Sequence, residues 1–268
     1  MANPDTLFIV VDPTQDEHIA LQRALITSRR REVKPKLKIF VGVDPAATSM
    51  DADNPDIYRD NHWFEALRRP LDEQQLDYTL VICWSTDWYE AILQAAEKTD
   101  PDMILLSDYS AQRSRNRLTD NKWQLMRHAK CPVVICRPGV PSKREVVLAA
   151  VKMQDRSPEY EDLNTRILTR GKWLAEHYDA DFQVVNAYSD SLSYPDRGNM
   201  MRSIGIEADK LHILQGPADE VVSKLAEEIS ADIVVIGTLR RKGLLMAMRG
   251  NTSERVMSAL KVDVMTLN

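Results

Sequence analysis

The sequence predicts an α/β protein of two doubly wound domains, each a five-stranded parallel sheet flanked by helices. Three observations lead there. Short apolar runs alternate with helix-like stretches along the whole chain, as successive βαβ units require. The runs carry no polar interruption, which fits strands covered on both faces. The two halves also repeat one another. Residues 6–12 (TLFIVVD) return as 146–152 (VVLAAVK), 102–107 (DMILLS) as 232–237 (DIVVIG), and 131–136 (CPVVIC) as 262–267 (VDVMTL). Copies of about 130 residues are each large enough to bury a core of their own.

In the first half the apolar runs place strands at 7–11, 37–43, 78–84, 103–106 and 133–136. Helices are expected near 17–31, 61–75, 89–98 and 122–128. Asp87, three residues before Glu90, marks a helix start. The second half repeats the order, with strands at 146–151, 182–187, 211–214, 233–236 and 264–267. Its helices are expected near 160–178, 199–203, 218–229 and 252–260. Acids after Pro217 suit a first helical turn, and Asn251 with Glu254 has the form of a capping box. Arg137 to Pro141 holds two prolines around a glycine and extends neither element. The domains are therefore set at 1–138 and 143–268, with 139–142 as linker. Residues 190–198, rich in Ser, Pro and Gly, are expected to form a mobile loop.

Composition narrows the function. A formal charge of −5 argues against a nucleic-acid or anionic-membrane binder. No apolar run approaches the ~20 residues that span a bilayer. The first run follows a start without a basic segment, so no secretory leader is expected and the protein is placed in the cytoplasm. Cys83, Cys131 and Cys136 form no disulfide framework. With His128 they give H-x2-C-x4-C, which fits no standard zinc spacing; no metal is expected.

In an open parallel sheet, ligands sit beyond the carboxyl ends of the strands, where strand order reverses. The most informative stretch there runs from Gly237 to Glu254: it leaves a strand through Gly237, loops, and enters a helix through Gly250 and Asn251. Glycines at both ends let backbone N–H groups approach an anion, and a helix start adds partial positive charge. A strand exit and a capped helix explain the same glycines without a ligand. Eight of the nine glycines lie beyond residue 138, so only the second half keeps such a loop. Residues 107–122 contain none, and Asp108 and Asp120 would repel a polyphosphate.

The segment from Gly237 resembles the nucleotide loop of the universal stress protein family, G-x2-G-x9-G-[ST]. The resemblance covers essentially the whole chain. The ending GNTSERV at 250–256 and NKWQLMR at 121–127 are similar to the tandem, E-type members. The resemblance implies five parallel strands per domain, adenine and ribose near the ends of strands one and two, and phosphates on the glycine loop. It also implies that the two halves pair edge to edge internally, giving a monomer or a weak homodimer. Three departures weaken the site. Arg240 stands at the second glycine and Asn251 at the Ser/Thr position, although an arginine can itself hold phosphate. Lys152 stands where the family carries an acid, and a lysine cannot accept from a ribose hydroxyl. The first half keeps the acid as Asp12 but lacks the loop.

The expected function is that of a non-enzymatic stress-response protein with at most one adenine-nucleotide site, for ATP or a relative. Backbone contacts would come from Gly237, Gly250 and Asn251, a phosphate contact from Arg240, and the adenine wall from Ala187, with Lys152 at the ribose position. No cofactor is required, and any protein partner is unknown. Five scattered histidines form no catalytic motif. Two alternatives stand. One is a slow nucleotide hydrolase. The other is a binder of a small amphipathic or lipid-like ligand, in an apolar cleft that Trp84, Trp88 or Trp123 could line.

Overall fold

A computed structural model describes residues 4–43, 61–109, 120–139, 141, 143–239 and 252–268. By internal contacts the chain divides into two compact units, 1–108 with 119–138 and 109–118 with 139–268.

The first unit holds β1 (Thr6–Val11), α1 (Ile19–Arg30), β2 (Lys36–Val43), α2 (Asn61–Glu73), β3 (Tyr78–Trp84), α3 (Trp88–Thr99), β4 (Met103–Ser107), α4 (Asp120–His128) and β5 (Val133–Cys136). Its strands lie in the order β3-β2-β1-β4-β5, every pair parallel. The second unit repeats this with β6 (Val146–Val151), α5 (Pro158–Tyr178), β7 (Asp181–Tyr188), α6 (Arg197–Ile204), β8 (Leu211–Gln215), α7 (Ala218–Glu228), β9 (Ile233–Gly237), α8 (Thr252–Ala259) and β10 (Asp263–Leu267). Their order is β8-β7-β6-β9-β10, again parallel throughout. Every expected element is present, with ends within two residues.

The strand centres form the cores. Leu7, Phe8 and Ile9 are fully buried in the first unit, as are Val147, Leu148 and Ala149 in the second. The repeated acids have one shared task. Asp102 accepts the Thr6 amide at 2.7 Å, and Asp232 accepts the Glu145 and Val146 amides at 2.6 and 2.9 Å. Each acid thus satisfies donors that open the neighbouring strand, where the ladder has not yet begun.

Local caps behave as expected at α3, where Asp87 accepts the Glu90 amide at 3.1 Å. Residues 190–198, expected to form a mobile loop, hold a 3₁₀ turn at Ser191–Ser193 and the start of α6. Asp190 accepts the Leu192 and Ser193 amides at 3.0 and 3.1 Å while Ser193 Oγ accepts the Asp190 amide at 3.1 Å. Asp196 then caps α6 through the Asn199 amide at 2.9 Å.

His212 is structural. Its Nε2 meets Gln183 Oε1 at 2.8 Å, and burial pushes its pKa below the ordinary value.

Candidate functional site

β1 lies between β2 and β4, and β6 between β7 and β9, so each unit has its switch point at the carboxyl end of its first strand. In the second unit two buried amides shape that end. Asn164, on α5, accepts the Lys152 amide at 3.0 Å and donates to the Lys152 carbonyl at 3.1 Å. Asn186, on β7 and fully buried, accepts the Met153 amide at 2.8 Å and donates to Gln154 Oε1 at 3.0 Å. Gln154 Nε2 then donates to the Ala187 carbonyl at 2.9 Å. The loop after β6 is held because each buried amide group must find a partner.

This network changes what the expected residues can do. Ala187 stands near the end of β7, and its carbonyl accepts Gln154 Nε2 at 2.9 Å and Asn186 Nδ2 at 3.3 Å. Lys152 is also engaged. Its ammonium lies 2.9 Å from Asp155 Oδ2 and 4.4 Å from the centre of the Tyr160 ring. Hydrogen bonds from Lys152 and Ser157 hold the Asp155 carboxyl down at about 2.

Gly237 ends β9, and its lack of a side chain has a packing cause. A Cβ there would stand 2.4 Å from Leu163 Cδ2 and 2.6 Å from Leu163 Cγ. The first unit has Ser107 at the matching position, whose hydroxyl accepts the Ala20 amide of α1 at 3.0 Å. Ser253 Oγ donates to the Gly237 carbonyl at 2.8 Å and ties the start of α8 to the strand end. Sequence reasoning missed Ser253, Leu163 and Gln154, because their partners lie 16 to 74 positions away. Arg240, Gly250 and Asn251 lie outside the described residues.

At the first unit's switch point, Asp12 is exposed and closes a turn, accepting the Thr14 amide at 2.9 Å and its hydroxyl at 2.7 Å. Asp108 is not the free, repelling charge expected. It is buried, with Lys122 Nζ at 3.0 Å and Arg137 Nε at 3.7 Å. Two cations thus occupy the carboxylate at the point where the second unit begins its glycine loop. Asp120 has no described side chain.

Among the described residues no group of three or more His, Cys, Asp or Glu side chains could hold a metal. Cys131 is half-buried, and burial pushes its thiol up to about 11. Since the thiolate is the reactive form, this leaves about 100-fold less of it at neutral pH than an unperturbed thiol has. Iodoacetamide at pH 7 should therefore modify Cys131 about two orders of magnitude more slowly than a free model thiol. Peptide mass spectrometry over a time course measures this, and a matched rate would refute the buried environment.

Of the three candidate tryptophans, Trp84 lines a groove described below. Trp123 is 5% exposed within the core of α4, and Arg127 lies 5.0 Å over its ring. Trp88 opens α3 and does not line the groove.

The family model for the universal stress protein family matches residues 5–137 and 198–268. Universal stress protein E of Photorhabdus laumondii is 25% identical over 300 residues, spanning 100% of this chain and 96% of that protein. The protein of the same name in Escherichia coli is 25% identical over 301 residues, with 100% and 95% covered. Among solved structures, a functionally unknown protein from Pseudomonas aeruginosa superposes with a TM-score of 0.82 at 24% identity, covering 98% of this chain and 92% of that one. That likeness is one of fold.

Proposed function

The chain belongs to the universal stress protein family, and on that footing we propose that it is a cytoplasmic, non-enzymatic stress-response protein. In this reading it carries a single weakened site for an adenine nucleotide, in the second half. Gly250 and Asn251 would offer backbone amides to phosphate, Arg240 a charged contact, and the Ala187 edge the adenine wall. A bound nucleotide would supply the signal through its phosphates; the chain's residues bind and orient it.

The observation that supports a weakened site is the Gln154 side chain on the Ala187 carbonyl at 2.9 Å. An incoming adenine must displace that hydrogen bond or do without the acceptor. Lys152 adds to the loss, since its ammonium is tied to Asp155 and no carboxylate faces a ribose from that position.

Calorimetric titration with ATP tests this. Gln154→Ala removes one of the two amide donors on the Ala187 carbonyl, the other being Asn186 Nδ2 at 3.3 Å, and should tighten ATP binding about five- to tenfold, the worth of one hydrogen bond recovered. Gly250→Val should abolish it. An affinity unchanged in Gln154→Ala would remove Ala187 from the site. Phosphate release that scales with protein and disappears in Gly250→Val would replace this reading with the hydrolase one.

A further inference from the structure

A groove of about 510 Å³ runs between α3 and the β2–β3 edge of the first unit. Its cause lies in the helix sequence. α3 buries Ile92 and Ala96 but turns Ala91 and Ala95, one helical turn apart, toward the strands beside them. Alanines are too short to reach Phe40 and Val81 on the sheet, and packed interiors seldom leave such a gap unfilled.

The groove is electrically polarised. A crossover helix returns antiparallel to its strands, so the last turn of α3 lies over the start of β2. Lys98 and Lys38 therefore share one end, and Asp87 and Glu90 share the other with Trp84. The two acids are already engaged. Asp87 caps the helix, and Glu90 Oε1 accepts Gln94 Nε2 at 3.0 Å. Lys38 and Lys98 make no hydrogen bond or ion pair among the described residues. Lys38 is half-buried in a strand, where a cation without a counter-charge is costly.

We infer that this groove binds a small amphipathic organic anion. Its carboxylate pairs with Lys38 and Lys98, and its apolar body lies over Phe40, Val81, Ala91 and Ala95. The volume falls within the range of small-molecule sites. This site belongs to the other half of the chain from the nucleotide site, and it does not depend on that reading.

Decanoate is the probe, with decyltrimethylammonium as the control of equal apolar length, both titrated calorimetrically into the full chain. Decanoate should half-saturate one site per chain below about 1 mM, with no saturable binding of the ammonium. Lys98→Gln, on an exposed last turn, and Lys38→Met should each weaken decanoate about tenfold. Bound decanoate should also slow alkylation of Cys83, which lines the same groove. The proposal is overturned by absent decanoate binding, by equal binding of the ammonium, by an unshielded Cys83, or by unchanged affinity in both lysine variants. Circular dichroism of each variant confirms the fold, and Lys98→Gln decides the matter if Lys38→Met does not fold.

Discussion

Asp263→Ala should destabilise the chain by about 3–5 kcal/mol, the range for stripping a buried ion of its counter-charge. Asp263 is fully buried at the start of β10, and its carboxylate lies 3.0 Å from Arg144 Nη2. The arginine side chain is 7% exposed. It donates to the Asp232 carbonyl at 3.4 Å and lies 5.5 Å over the Tyr178 ring. Neither contact replaces a full negative charge. Replacing both partners, as Arg144→Met with Asp263→Leu, should cost far less than Asp263→Ala alone, because the desolvation of two ions disappears with them. Urea denaturation of the three variants measures this. A loss under about 1 kcal/mol in Asp263→Ala would show that water reaches the arginine.

Gly237→Ser should cost about 2–3 kcal/mol, since its Cβ would enter the space of Leu163. Three Leu163 atoms stand 2.4 to 2.8 Å from that Cβ position, and a branched side chain on a helix has little freedom to retreat. Leu163→Ala beside Gly237→Ser removes the three atoms that the new Cβ would meet. The double variant should therefore be more stable than the sum of the singles predicts, by about 1–3 kcal/mol of coupling. Additive effects in that cycle would show that Gly237 is glycine for a reason other than packing.

The fold was legible because duplication wrote it twice. Apolar runs at 6–12 and 146–152, or 102–107 and 232–237, carry the same strand pattern with different residues, so each supports the other. Asp87 was legible as a cap because its partner lies three residues away. The site was less so, because its determinants are long-range. Nothing local links Asp108 to Arg137, Gln154 to Ala187, or Leu163 to Gly237. Asp108 therefore reads as a repelling charge in the sequence and proves to be a buried, paired one. Gly237 reads as a phosphate glycine, yet a leucine on α5 is reason enough for it. Trp84, one of three tryptophans that could line a cavity, does line a groove. Trp123, at similar aromatic weight, fell into the core because α4 turns that face inward.

Equilibrium dialysis with radiolabelled ATP counts the nucleotides held by each chain at saturation. The account predicts one, retained in Asp12→Asn and lost in Gly250→Val. Two per chain, none at all, or one that survives Gly250→Val and vanishes with Asp12→Asn would contradict it.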